Sequence, residues 1–244
     1  MMKEYEQGWN ILLSLCDGSG HLSVTGALDI FMDIATLHED AFGLGVYKMM
    51  DMGLYWIIGK NRVRFIKRPA MMDKVHVRTW FTEPSRLYGN REYVLEDKDG
   101  NPLAIGETEW LVATEGCKKI MPIKEFITPE IVSDEGRLFD DRMRKVAKDF
   151  SGGYTAGKYV VSPVDVDFVG HMNNAAYSRA VMSFIPSSEL AGRSIKEAEI
   201  FYSLQCKEGD ELTVCRRDID TGIEFGAFLP DGSTVMTARL TYEQ

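Results

Sequence analysis

The pattern D-x-x-G-H followed by an apolar residue occurs twice in this chain. It appears as Asp17-Gly18-Ser19-Gly20-His21-Leu22 and as Asp167-Phe168-Val169-Gly170-His171-Met172, 150 residues apart. Each copy stands between a short strand-like segment and a helical stretch. In the first, Leu28, Phe31, Met32, Ala35 and the residues from Leu37 to Ala41 fall broadly at i, i+3, i+4, i+7 spacing, which predicts a one-face-buried helix from Thr25 or Gly26 to about Phe42. In the second, a helix is expected over 174–184, stopped by Pro186. Before each turn a strand is expected, over 5–15 and 158–162, and after each helix four extended segments follow. These are 55–66, 74–83, 87–96 and 102–114 in the first half, and 197–204, 211–218, 222–229 and 234–242 in the second. Asp97-Lys98-Asp99-Gly100-Asn101 and Pro230-Asp231-Gly232 mark hairpin turns. The stretches ending at Asp73 and Asp210 correspond at an offset of 137, the shorter second helical region accounting for the change. The chain is therefore expected to form two copies of one unit, each with its helix laid across the sheet, since neither element can bury its apolar face alone.

Length and composition agree with two copies. The 244 residues are 45% hydrophobic and 27% charged with 8 prolines, enough for two packed domains of ordinary size. Residues 131–157 are expected to be the linker: Asp134 to Ala147 is charge-dense and weakly helical, and Ser151-Gly152-Gly153 follows. The domains are then 1–130 and 158–244. A net charge of −9 argues against a general nucleic-acid binder, which needs a basic face to displace counterions. Cys16, Cys117, Cys206 and Cys215 have neither CxxC nor metal-ligand spacing, so reduced thiols are expected. The opening MMKEYEQGWN lacks an apolar leader core, and no stretch approaches about 20 apolar residues, so no membrane insertion and a cytoplasmic location are expected.

The richest concentration of chemistry is the stretch from Asp165 to Tyr177, which packs Asp165, Asp167, His171, Asn173 and Asn174 into a turn entering a helix. A helix N-terminus offers unpaired N–H groups that can polarise a carbonyl or hold an oxyanion. A carboxylate held nearby can activate water or attack that carbonyl, and an adjacent His or Asn can orient the pieces. Asp and Asn are equally at home as turn and N-cap residues, and a lone His as a packing residue. D-x-x-x-H with amide neighbours lacks a third and fourth metal ligand.

The stretch D-x-x-G-H-x-N-N-A-x-Y at 167–177 resembles the motif of hot-dog-fold thioesterases. Its doubled setting resembles the acyl-acyl-carrier-protein thioesterases of plants and bacteria, in which two hot-dog units lie in one chain. The first half agrees through the stretch from Trp56 to Phe65, Arg68-Pro69, Asp73, Thr79-Trp80, Gly89-Asn90-Arg91-Glu92-Tyr93 and Trp110, and the resemblance runs from about residue 5 to 242. It implies an α+β tandem double hot-dog, each unit a long helix wrapped by an antiparallel sheet. It also implies hydrolysis of fatty acyl-[acyl-carrier-protein] thioesters to free fatty acid and carrier thiol, in fatty acid biosynthesis, with no metal or organic cofactor.

Within that resemblance Asp167 matches the catalytic carboxylate and His171 the histidine four residues on. Gln205 stands where the plant-type enzymes carry a glutamate, and Val169 where they carry an asparagine. An amide orients water or a carbonyl but cannot act as a general base. Backbone amides near Gly170 to Met172 would hold the oxyanion, while Asn173 and Asn174 are either pocket groups or helix caps. The first unit would shape the acyl pocket, Trp56 among its lining. Acyl carrier protein is the implied partner, attracted to cations within Lys60–Arg78 or the linker, and the chain is a pseudo-dimeric monomer or a homodimer. An acyl-CoA thioesterase and a non-hydrolytic acyl-binding protein are the alternatives, with a hot-dog dehydratase behind them.

Overall fold

A computed structural model describes residues 2–243, and they divide into one unit ending at Arg142 and another beginning at Met143. In the first unit, β1 (Glu4–Asn10) leads through a 3-10 turn (Leu13–Leu15) to the long helix α1 (Val24–Ala41) and the short α2 (Val46–Asp51). β2 (Leu54–Phe65), β3 (Lys74–Phe81), β4 (Gly89–Glu96), β5 (Pro102–Thr114) and the short β6 (Ile120–Met121) follow. The second unit runs β7 (Tyr154–Val160), a 3-10 turn (Pro163–Asp165), α3 (Asn174–Met182), α4 (Ser187–Gly192), β8 (Ile195–Tyr202), β9 (Glu211–Ile219), β10 (Gly222–Phe228) and β11 (Thr234–Tyr242).

Strand order is β1-β3-β4-β5-β2 in the first unit, with β6 on β5, and β7-β9-β10-β11-β8 in the second, antiparallel throughout. The repeat holds residue by residue. β7, the second 3-10 turn and α3 begin 150 residues after β1, the first 3-10 turn and α1; β8 ends and β9 begins 137 residues after β2 ends and β3 begins. Asn10 pairs with Lys74 as Val160 pairs with Glu211.

Helix α1 starts where Ser23 Oγ accepts from Gly26 N–H at 2.9 Å, one of the orphan amides of a helix N-terminus. Its stripe of Ala27, Leu28, Ile30, Phe31, Ile34 and Ala35 is fully buried, each large side chain contributing about 1.5–3 kcal/mol relative to exposure. Phe31 stacks on Tyr93 of β4 with centroids 4.7 Å apart and lies on Gly106 of β5, where a Cβ would come within 2.3 Å of its ring. In the second unit Phe184, just beyond α3, lies on Gly157 of β7 in the same manner, a Cβ there meeting the ring at 2.4 Å. Glycine is required at both contacts by close approach rather than by backbone angle.

Three expectations shift. β1 ends at Asn10 because the chain leaves the sheet edge for the 3-10 turn, with Ile11 N–H already donating to Asp73 O. β7 begins at Tyr154, inside the expected linker. Residues 134–147 form no helix, because their polar groups answer to the outer faces of the sheets instead. Gly136 O accepts from Trp80 Nε1 at 2.8 Å, Arg137 grips Glu107 at 2.9 and 3.0 Å, and Asp141 takes Arg62 at 2.8 Å with Phe139 beneath that guanidinium. In the second unit Arg144 N–H donates to Glu199 at 2.7 Å, and Arg217 donates to Asp149 O at 2.9 Å.

One backbone position breaks the match between the units. The loop before β3 places Met72 at φ 75°, and the loop before β9 places Gly209 at φ 87°, each donating its N–H to the residue after the first strand, Ile11 or Val161. Left-handed backbone is costly for any residue with a Cβ, and the Met72 side chain is exposed and so loses little contact on removal. Met72→Gly is expected to stabilise the chain by about 0.5–1 kcal/mol after the entropy of the unfolded glycine is deducted, read as a higher midpoint in thermal or urea unfolding.

Candidate functional site

The two D-x-x-G-H turns are the same piece of backbone. Asp17 N–H donates to His21 O and Gly20 N–H to Asp17 O; Asp167 N–H donates to His171 O and Gly170 N–H to Asp167 O, all at 2.9–3.0 Å. The glycines take φ of 75° and 82°, where a Cβ would strain the turn. The carboxylate then folds back on its own turn, Asp17 Oδ1 accepting from Ser19 N–H and Asp167 Oδ1 from Val169 N–H, both at 2.9 Å.

Side chains separate the copies. In the first turn Ser19 Oγ also donates to Asp17, His21 Nδ1 lies 3.0 Å from Ser19 O, and Arg68 reaches from the β2–β3 loop to pair with Asp17 Oδ2 while its Nε–H donates to Leu22 O at 3.0 Å. Each polar side chain is taken. In the second turn Val169 replaces Ser19, and the position corresponding to Arg68 is Gln205. That correspondence is fixed by backbone: Leu22 N–H donates to Pro69 O as Met172 N–H donates to Cys206 O, and Ala70 N–H donates to Asp73 Oδ2 as Lys207 N–H donates to Asp210 Oδ2. Among the described residues Asp167 receives only backbone donors, Val169 and a long 3.5 Å contact from His171, both on Oδ1. Among the described residues, no cation pairs with it, and the buried His171 Nδ1 has no hydrogen-bond partner.

The remaining predicted residues sort by geometry. Asn173 is the N-cap of α3, its Oδ1 accepting from Ala175 N–H at 2.8 Å, so the capping alternative holds. Asn174 opens the helix, and its carbonyl accepts from Tyr202 Oη at 3.3 Å. The Gly170 and Met172 amides, expected to face an oxyanion, are instead engaged with Asp167 O and Cys206 O, because the turn closes as a short antiparallel bridge between Val166 and Met172. The His171 N–H, weakly held at 3.5 Å, and the first-turn Asn174 N–H are the amides left at this helix end among the described residues. Gln205 is exposed on the segment after β8, bracketed by Tyr177, whose hydroxyl accepts from Cys206 N–H at 2.8 Å and donates to Leu204 O at 3.3 Å. Trp56 belongs to the first unit, its Nε1 on Leu44 O at 2.9 Å and its ring among Phe81, Trp110 and Phe126. Sequence reasoning missed Arg68 and Tyr177. The 137-residue correspondence carried the signal for the first, and Tyr177 closed the quoted motif without being given a role.

The Acyl-ACP thioesterase N-terminal domain model matches residues 2–131, and the Acyl-ACP thioesterase C-terminal domain model matches residues 151–237. The chain belongs to the acyl-ACP thioesterase family. A chloroplastic acyl-[acyl-carrier-protein] hydrolase of Cuphea viscosissima is 23% identical over 98% of this chain, which spans only 60% of that relative's length. An acyl-ACP thioesterase from Bacteroides thetaiotaomicron superposes with a TM-score of 0.87 at 17% identity, covering 99% of this chain and 98% of its own. A 12:0-ACP thioesterase from Umbellularia californica gives 0.85 at 18% identity, covering 98% and 94%. The double hot-dog architecture is thereby shared.

In this acyl-ACP thioesterase family member the carboxylates near the candidate site differ in role. Asp165 completes a capping box, taking Ser162 N–H, Ser162 Oγ and Tyr159 Oη at 2.7–2.9 Å; burial raises its pKa, but the Ser162 and Tyr159 hydrogen bonds outweigh that and leave it lowered. It is a structural carboxylate. No three His, Cys, Asp or Glu side chains converge as metal ligands do among the described residues, and no helix among them is long and apolar enough to cross a membrane. Of the cations expected to form a docking face, Lys60 pairs with Glu109, Arg62 and Arg64 with Asp141, and Arg137 with Glu107.

For Asp17, burial raises the pKa while Ser19 and Arg68 lower it further, so the net shift is downward. A depressed carboxylate contributes stability above its unfolded pKa and loses it as pH falls through the folded one. Arg68→Gln is therefore expected to cost about 1–2 kcal/mol at neutral pH, with the deficit shrinking as the medium is acidified below the ordinary aspartate range to the part that comes from the hydrogen bonds to Leu22 O, followed by urea titration at several pH values.

Proposed function

We propose that this protein hydrolyses fatty acyl thioesters carried on acyl carrier protein, releasing free fatty acid and carrier thiol, with Asp167 as the reacting carboxylate. The observation that carries this reading is the contrast between the turns: the polar side chains of Asp17, Ser19 and His21 are tied to one another and to Arg68, whereas Asp167 and His171 keep unused polar atoms beside a helix N-terminus. Family membership supports the thioester as substrate.

The chemistry follows from those atoms. Asp167 takes a proton from water, and the hydroxide adds to the thioester carbonyl. The oxyanion is met by the His171 and Asn174 N–H groups at the positive end of α3. Collapse breaks the C–S bond, and the thiolate recovers the proton from Asp167. Gln205 orients the water or the acyl carbonyl through its amide, and His171 lines the turn with its free Nδ1.

An acidic carrier requires local cations. Arg142, Lys145 and Lys148 are exposed and stand for that role, the strand arginines being engaged within the first unit.

The decisive experiment is thiol release from matched acyl-carrier and acyl-CoA thioesters. Asp167→Asn is expected to lower the rate by about a hundredfold or more, and Gln205→Arg, which recreates the arginine that holds Asp17, by a comparable factor. Retention of full rate in Asp167→Asn defeats the assignment. Reversing charge at Arg142, Lys145 and Lys148 should raise KM for the carrier thioester and leave that for the CoA thioester in place. Equal effects on both donors remove the carrier component, and tight acyl retention without thiol release turns the reading to an acyl-binding protein.

A further inference from the structure

The inner face of the first unit's sheet, under α1, is unexpectedly polar. Antiparallel register places Asn61 of β2 opposite Thr108 of β5, Thr108 opposite Arg91 of β4 and Arg91 opposite Phe81 of β3, so these four side chains form one row on one face. Asn61, Thr108 and Arg91 are each at most 2% exposed. Arg91 donates to His38 Nδ1 at 2.9 Å and to Glu39 Oε1 at 3.1 Å, both on α1, and its guanidinium lies 4.0 Å from the Phe81 ring centroid. The Thr108 hydroxyl is shared with Tyr93 Oη at 2.9 Å and takes Trp110 Nε1.

The second unit supplies the control. Its matching row, from the same registers, reads Ala198 of β8, Leu240 of β11, Ile223 of β10 and, in the place of Phe81, Asp218 of β9; the place of Tyr93 is taken by Phe225. The architecture thus closes with apolar side chains at the positions where the first unit has an amide, a hydroxyl and a guanidinium. Burying a polar group costs free energy unless it finds a partner. Here two atoms find none among the described residues: Arg91 Nε, a donor, and Asn61 Oδ1, an acceptor, are both buried without a hydrogen bond. They flank Thr108, their backbones about 10 Å apart across two strand spacings.

We propose that this row is a subsite for a hydroxyl group carried on the acyl chain, so that the preferred substrates are hydroxyacyl thioesters. This rests on the acyl-thioester reading above and on the first unit as the part that receives the chain. A hydroxyl answers both orphaned atoms in kind: its oxygen accepts from Arg91 Nε–H, and its proton is donated to Asn61 Oδ1. A carboxylate at the chain end fits less well, because Glu39 already faces the Arg91 charge and would repel it. A plain methylene chain leaves both atoms unpaired.

The test is calorimetric binding of saturated fatty acids and of the same acids bearing one hydroxyl at successive carbons. At one hydroxyl position wild-type affinity should exceed that for the plain acid by about tenfold, the scale of one buried hydrogen bond. Asn61→Ala, which installs the second unit's own residue at this place, should bring that ratio to about one. Asn61→Ser, too short to reach, should do the same and serves if the alanine variant does not fold. The inference is overturned by equal binding at every hydroxyl position, by a preference that survives loss of Asn61, or by no binding of either acid. Thiol release from the corresponding thioesters is scored separately. Hydroxyl-selective binding without release retains the subsite and removes hydrolysis, while release without hydroxyl selectivity does the reverse.

Discussion

Close approach of an aromatic ring to a sheet glycine occurs in each unit. Phe31 of α1 on Gly106, and Phe184 just past the end of α3 on Gly157, bring ring and backbone to distances that admit no side chain on the sheet, so the segment that follows the edge strand must return across it. The D-x-x-G-H turn performs that passage. Its glycine lets the backbone reverse, its aspartate folds back on the amide two residues on, and its histidine carbonyl closes the loop. The polar atoms of the candidate site are thus held by a turn that both units share, and the two copies differ in what stands opposite the aspartate, Arg68 in the first and Gln205 in the second.

The outer sheet faces obey a different rule. Segment 134–149 is irregular, and it is fastened by long-range arginine and carboxylate contacts: Arg62 and Arg64 to Asp141, Arg137 to Glu107, Arg144 to Glu199, Arg217 to Asp149 O. Several of these groups are deeply buried, Arg62 and Glu199 fully so, and removing one partner of such a set leaves a desolvated charge. A segment with this composition would fray in water on its own. Its order is borrowed from the strands beneath.

Much of the fold was legible because period and punctuation are local. The i, i+3, i+4, i+7 spacing of Leu28, Phe31, Met32 and Ala35 places α1 within about two residues, and the Asp97 to Asn101 turn is confirmed by Asp97 Oδ1 accepting from Asp99 and Asn101 N–H. The candidate turn was legible for the same reason. What stayed hidden depends on pairing across distance. Nothing near Asp17 announces Arg68, 51 residues on, as its counter-ion. Alternation along β4 tells that Arg91 and Glu92 face opposite ways, but not that both are buried, one under α1 and the other beneath Leu138. The linker reading of 131–157 did not foresee these contacts, because composition records charge and not where the opposite charge lies.

The locked first turn has an implication for how such a protein can change. In an assembly of two identical single-unit chains, any substitution opposite the aspartate appears in both copies at once, so an arginine that pairs with the carboxylate of one copy pairs with that of the other. Fusion of the units into one chain removes that coupling. Arg68 and Gln205 occupy one structural address yet are inherited separately, and so are the polar row of Asn61, Thr108 and Arg91 and its apolar twin of Ala198, Leu240 and Ile223. Covalent linkage here serves as a means of breaking symmetry, letting the aspartate of one turn be held by a cation while that of the other is left to backbone donors.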